Sequence, residues 1–417
     1  MKQANIIPLS SYQKSVITLL AITQFTIVLD FMVMSPLGDL LMKSLVITPS
    51  QFGLVVSSYA FSAGISGLLT AGFADKFDRK RLLLFFYIGF IIGTLFCGLA
   101  PTYEALVAAR IFTGIFGGVI GSISMAIITD IFSLEQRGRV MGFVQMGFGA
   151  SQVLGIPISL YLATLWGWQS PFLMIVGFST VLALIIMRVL KPITQHLKLK
   201  TERKALAHLV HTITQKHYQT AFLATALLSI GGFMMMPFGS AFAVNNLEVS
   251  QQQLPIIFMV SGISSLIVMP MIGRLSDKIE KFSLFAFASV WMVVMVLIYT
   301  NLPVVPLWVI IIFNVLMMMG IMSRMVPATT LTSAIPKMQD RGAFMSINSS
   351  LQQIAGGIAS FVAGLIVVQK DNFSPLQNYD VLGIVVSVVS LSCIYMVYRV
   401  NKLAKKNAAS APKEQPV

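Results

Sequence analysis

Gly72-Phe73-Ala74-Asp75-Lys76-Phe77-Asp78-Arg79-Lys80-Arg81 closes one apolar run, and Gly273-Arg274-Leu275-Ser276-Asp277-Lys278 closes another 201 residues later. A second pair of markers has nearly the same spacing, since Arg137-Gly138-Arg139-Val140-Met141 and Arg341-Gly342-Ala343-Phe344-Met345 lie 204 apart. Two independent markers at almost one offset imply duplicated halves. That is the parallel-repeat plan, in which a ligand site lies between two bundles.

Apolar runs fall near 15–37, 52–74, 82–100, 104–131, 140–165 and 170–190, then near 219–244, 253–273, 282–301, 306–335, 342–368 and 379–398. Each is long enough to cross a hydrocarbon core of about 30 Å as a helix and too long for a barrel strand. The 417 residues are 56% hydrophobic and 11% charged, far from the balance of a water-soluble chain. The sequence therefore predicts an all-α membrane protein, with 12 transmembrane helices in two pseudo-symmetric six-helix bundles. Residues 1–190 form the first bundle. A basic linker with a short amphipathic helix follows over 191–218, then a second bundle over 219–400 and a disordered tail over 401–417. Nothing between the runs is large enough for a soluble catalytic domain. The run after Lys14 has no small-residue cleavage pattern and reads as a first span, not a removable signal.

Orientation follows from charge, because 25 of the 29 Lys and Arg residues fall on one face of the loops and only Lys43 and Lys370 on the other. Arg110 and Arg324 lie inside spans. The positive-inside rule then puts both termini and the linker in the cytoplasm, and a bacterial inner membrane is the expected setting. Attraction to anionic headgroups accounts for the +14 formal charge without any nucleic acid. His196, His208, His211 and His217 sit together in the linker but lack cysteines or clustered carboxylates beside them, so no metal site is expected. Cys97 and Cys393 read as small buried hydrophobes. No cofactor is expected, since the chain has no nucleotide-binding loop and no nucleophile triad.

With these motifs in hand, the chain resembles the major facilitator superfamily, and its drug:proton antiporter or sugar-efflux branch in particular. The loop motif Gly-x-x-x-Asp-Arg/Lys-x-Gly-Arg-Lys/Arg is matched at Gly72, Asp75, Lys76, Arg79, Lys80 and Arg81. Asp78 stands where the family has glycine, a place where aspartate tolerates a left-handed turn better than most residues. An arginine followed by glycines in the fourth span is matched by Leu106, Arg110, Gly114, Gly117 and Gly118. The fifth-span antiporter motif is present in part, as Gly147, Gly149 and Gly155, with Ile156 inserted before Pro157. The helix-packing candidates are Gly114, Gly118, Gly149, Gly155 and Pro157, which would allow close approach and a kink.

Ionisable groups inside hydrocarbon cost about 3 kcal/mol on insertion scales, which makes each a functional candidate. Asp30 is 16 residues past Lys14, about 24 Å up a helix, and Arg110 comes to a similar depth. Such a pair can exchange ionisation for proton coupling, can be a fixed lock between helices, or can snorkel to the interface. In the resembled fold the first, fourth, seventh and tenth helices line a central cavity, which would place Asp30, Arg110 and Arg324 there. Arg324 would either bind an anionic substrate group or donate to backbone carbonyls. Met235, Met318 and Met322 could form an adaptable cavity wall, or simply fill their spans. At the cytoplasmic end the resemblance implies a gate made of Gly72, Asp75, Arg79, Lys80 and Asp130, with a weaker copy at Asp277. The alternative for these charges is plain interfacial solvation.

The expectation is a secondary active transporter, proton-coupled and exporting small amphipathic compounds by alternating access. One acid against two arginines favours a neutral or anionic substrate. A specific sugar or metabolite transporter and a non-transporting receptor or scaffold are the alternatives. The expected partners are a small-molecule substrate, protons and the lipid bilayer, with no nucleic acid, and the chain is expected to be a monomer.

Overall fold

The computed structural model describes residues 9–70, 74–194, 197, 205–337 and 340–410. It is almost wholly helical, with twelve helices long and apolar enough to cross a membrane. The first half has α1 (Ser11–Val33), α2 (Gly38–Leu45), α3 (Pro49–Thr70), α4 (Arg79–Leu99), α5 (Tyr103–Ile131), α6 (Leu134–Ala150), α7 (Ile156–Trp166) and α8 (Ser170–Val189). A ten-residue helix in the linker, α9 (Ala205–Thr214), precedes the second half. That half comprises α10 (Lys216–Phe233), α11 (Gly239–Asn245), α12 (Leu254–Lys278), α13 (Lys281–Thr300), α14 (Leu307–Ser333), α15 (Arg341–Ile366) and α16 (Tyr379–Ser410). Helices α6 and α7 form the fifth span together, and α10 and α11 the seventh.

Local sequence sets the helix ends. Ser10 and Gln13 form a reciprocal capping box on α1, and Ser133 and Gln136 do the same on α6. Arg137 reaches back to the last turn of α5, donating to the carbonyls of Phe132 at 3.1 Å and Thr129 at 2.7 Å. A cation suits the negative end of that helix. The two halves meet along α3 and α15 and along the fifth span and α12. The α3–α15 seam is close: a Cβ on Gly53 would come within 2.8 Å of the Ser360 carbonyl, and one on Gly364 within 3.0 Å of the Pro49 carbonyl.

Four details depart from the sequence expectations. Asp78 adopts φ −56°, not a left-handed turn, and caps α4: its carboxylate accepts from the amides of Lys80 at 3.0 Å and Ile193 at 2.9 Å. The inserted Ile156 follows a π-helical turn, Ser151–Gly155, which absorbs an extra residue by widening the helix where Pro157 cannot donate. The seventh span is broken at Met236–Phe238 around Pro237. Helix α16 runs to Ser410, beyond the expected start of the tail, because Lys405 pairs with Glu280 at 2.5 Å and Leu403 and Ala404 pack on the second half's core.

Candidate functional site

Asp30 lies near the end of α1 and Arg110 in the first third of α5, and the packing of α1, α3, α4 and α5 closes completely around both. Arg110 Nη1 is 2.9 Å from Asp30 Oδ2, and neither side chain has any exposed surface. Thr94 on α4 donates to Asp30 Oδ1 at 3.2 Å, while the Tyr59 ring on α3 lies 4.4 Å from the guanidinium carbon. Arg110 Nε and Nη2 have no hydrogen-bond partner. Two charges have thus left water for one direct bond, one threonine hydroxyl and a ring face. Removing either partner would strand the other, a loss of about 3–5 kcal/mol for a buried pair.

Glycines permit this enclosure. A Cβ on Gly114 would sit 2.5 Å from the Tyr59 carbonyl oxygen, and one on Gly118 would sit 2.5 Å from Ala63 Cα, so only glycine lets α5 close on α3 at these points. Gly155 leaves room for Leu29, the neighbour of Asp30, at 2.6 Å from its would-be Cβ. Gly149 does the same across the halves, with Leu266 at 2.5 Å.

At the basic end Arg79 is buried and pairs with Asp130 at 3.1 Å, and its Nη1 donates to the Ala74 carbonyl at 3.1 Å. Lys80 instead reaches Met187 at the end of α8, donating to its carbonyl at 2.8 Å within the same half. Gly72 and the side chains of Asp75 and Asp277 lie outside the described residues. Met235 and Met322 are buried and Met318 is half-buried. A small, mainly apolar cleft near the basic end of the second half, with Thr225, Thr329, Thr332 and Gln352 among the residues of its wall, is lined by none of the three. Arg324 is 1% exposed and contacts α13 and α16, donating to Met292 Sδ at 2.8 Å and Ser390 Oγ at 3.2 Å.

Sequence reasoning missed a second polar cluster, at the end of the molecule opposite the basic loops. Asp39 on α2 is 1% exposed, and its carboxylate accepts from Lys43 at 2.9 Å, from Asn245 on α11 at 2.6 Å and from Gln251. Lys43 also donates to Asn245 Oδ1 at 3.1 Å. Close by, Ser35 donates to the Met236 carbonyl, Ser240 donates to the Ser35 carbonyl at 2.9 Å, and Asn372 donates to the Met42 carbonyl at 2.7 Å. All of these bonds except Lys43–Asp39 join one half to the other. A signal for them stands in the sequence: Pro36-Leu37-Gly38 and Pro237-Phe238-Gly239 are 201 residues apart, the offset of the loop motif. Each proline interrupts a span near its far end and turns backbone and side-chain polar groups toward the other half.

A family model described as Major Facilitator Superfamily matches residues 20–360 and 221–416. The chain is 24% identical over 381 residues to the "Uncharacterized MFS-type transporter YceJ" of Bacillus subtilis (strain 168), covering 87% of this chain and 92% of that one. Over a shorter stretch of 152 residues it is 32% identical to "Multidrug resistance protein 3" of the same organism, 36% of this chain and 30% of that one. It is 23% identical over 262 residues to a "Probable sugar efflux transporter" of Helicobacter pylori (strain G27), with 63% and 66% covered. Among solved structures, a D-xylose-proton symporter superposes with TM-score 0.76 at 16% identity, covering 94% of this chain and 98% of that one. A bacterial homologue of the lysosomal transporter Spinster, inward-facing and unoccupied, gives 0.75 at 15% identity, with 96% and 99% covered. With two six-helix halves, a buried ion pair in the first and a family model that spans both, the chain belongs to the major facilitator superfamily.

Proposed function

We propose that the protein is a proton-coupled exporter of small neutral or anionic amphipathic compounds, working by alternating access as a monomer in a bacterial cytoplasmic membrane with both termini inside. The Asp30–Arg110 pair carries this reading. A carboxylate sealed at 2.9 Å from a guanidinium stays ionised while the pair is intact, and takes a proton when movement of α5 or a bound substrate withdraws the partner. Proton uptake and release thereby become tied to the conformation of the first half. The far-end cluster around Asp39 serves as the outer gate, and Arg79 with Asp130 serves the cytoplasmic one. Two relatives support export by their names alone, one a multidrug resistance protein and one a sugar efflux transporter.

The test is transport into vesicles carrying an imposed pH gradient, with substrates first found by ligand-induced stabilisation of the purified protein. Asp30→Asn mimics the protonated carboxyl in shape. The expected result is retained substrate binding and downhill exchange, with gradient-driven accumulation lost. Undiminished accumulation by the variant would mean that the proton binds elsewhere or that protons are not the coupling ion.

A further inference from the structure

Arg324, like Arg110, is a guanidinium from the fourth spanning helix of its half, enclosed by its neighbours, although it is the eighteenth residue of α14 where Arg110 is the eighth of α5. Both leave Nε and Nη2 without hydrogen-bond partners. What separates them is charge. Arg110 has Asp30. Around Arg324 the neighbours are Ser390 and Cys393 from α16, Met292 and the Phe285 ring from α13, and Gly231 from α10. None is a carboxylate, and among the described residues Arg324 forms no ion pair. The Cys393 thiol points its sulfur at the Ala224 carbonyl, 3.6 Å away, so its proton is engaged and it supplies no negative charge.

Gly231 lies 201 residues after Asp30, the offset at which Pro36 and Pro237 also repeat. A Cβ built on it would be 3.8 Å and 3.9 Å from the two terminal nitrogens of Arg324, and apart from Ser390 Oγ at 2.9 Å nothing else comes closer than those. The second half therefore has a buried cation of its own and, at the position that repeats Asp30, a residue with no side chain. A guanidinium keeps its proton in proteins, and an isolated buried charge is costly enough that it is paired almost without exception. Water could meet the two free N–H groups but cannot neutralise the charge. A lipid phosphate or a bulky substrate carboxylate does not fit an enclosure by α10, α13, α14 and α16 in which Arg324 is only 1% exposed.

We propose that Arg324 holds a small inorganic monoanion of halide size, bound beside Gly231 with the Ser390 hydroxyl as a further donor, as a built-in replacement for the carboxylate missing from the second half. The site is independent of what the protein transports. It makes the stability of the second half depend on the anion present, since a ligand that binds only the folded state raises the melting temperature with its concentration.

The experiment uses purified full-length protein and measures melting temperature at fixed ionic strength while chloride or bromide replaces gluconate. A saturable rise of several degrees with halide is expected for the parent. Arg324→Met removes the charge and should abolish the rise. Gly231→Asp with Ser390→Ala supplies the carboxylate and clears the close hydroxyl. That variant should melt in gluconate near the parental temperature in chloride and show no halide response. Gly231→Ala with Ser390→Ala is the volume control: it supplies no carboxylate, so it should melt in gluconate no higher than the parent does in gluconate. Crystals soaked in bromide should show an anomalous peak beside the guanidinium. Equal melting of the parent in chloride and gluconate would overturn the proposal. So would a halide response that persists in the Gly231→Asp variant, or bromide crystals with no peak at Arg324.

Discussion

Removing one member of the Asp30–Arg110 pair and removing both are different experiments, because the energetics of a buried pair are asymmetric. Asp30→Asn leaves Arg110 charged and unpaired in a site with no exposed surface, so its thermal unfolding should move down by an amount equivalent to about 3–5 kcal/mol. Asp30→Asn combined with Arg110→Met removes the stranded charge and should recover most of that loss while transporting nothing. The melting temperatures of the single and double variants, read as a cycle, check this: if the double variant is as unstable as the sum of both singles, the two groups are not coupled. The same scale shows why Asp78 is tolerated in a glycine position. Its backbone is not left-handed, and its carboxylate caps α4 and holds the Ile193 amide.

Two attachments matter at the level of elements. The far-end seal joins α2 to α11 through Asp39, Lys43, Asn245 and Gln251. Asp39→Asn turns an acceptor of three bonds into a weaker and partly mismatched one, at a cost of about 1–3 kcal/mol in the closed form. A cysteine at Ser240 should then react several-fold faster with a membrane-impermeant thiol reagent in that background; unchanged reactivity would show that the cluster does not hold the far end closed. At the basic end, Arg79→Ala removes the bond to Asp130 and should slow transport at least tenfold with normal insertion, and a variant transporting at the parental rate would remove the gate assignment.

The linker helix α9 is tied down by His208, whose Nε2 is 2.9 Å from Asp340 Oδ1, while Tyr218 donates to Oδ2 at 2.9 Å. The His208 hydrogen bond, the largest influence, and the Tyr218 hydroxyl hold the Asp340 carboxyl below the usual carboxylate range, against the opposing effect of desolvation. A depressed value in the folded state means that the stabilisation is present above the ordinary carboxylate pKa of about 3.9 and is lost as pH falls through the lowered one. Hydrogen exchange of α9 should therefore be insensitive to this carboxyl from pH 7 down to about 5 and accelerate only below about 4. Asp340→Asn should accelerate it above about pH 4 and leave it unchanged once the parental carboxyl is protonated. Exchange that does not change between the two sides of about pH 4 would show that this carboxyl does not hold α9.

For the whole molecule, the distribution of positive charge predicts that the loop around His208 lies inside the cell and Lys370 outside. A cysteine at Lys370 should be labelled by an impermeant reagent on intact cells, and one at His208 should be labelled only after permeabilisation. The reverse pattern would invert the topology.

Sequence by itself determined the spans and their pairing into halves. A bilayer demands about 20 apolar residues in each helix, and duplication leaves the loop motifs at one offset, both of which are properties of the chain order alone. It also singled out Asp30, Arg110 and Arg324, because charge inside hydrocarbon is conspicuous without a structure. Which charge meets which was decided only by tertiary packing. Asp30 and Arg110 are 80 residues apart and touch because Gly114 and Gly118 let α5 close on α3, while Arg324 turns toward Met292 and Ser390 within its own half. The far-end seal had the same origin. Asp39 and Asn245 look like ordinary loop-end polar residues until two proline breaks, 201 positions apart, bring them to one interface, and side-chain partners across 206 residues follow from geometry that no local pattern encodes.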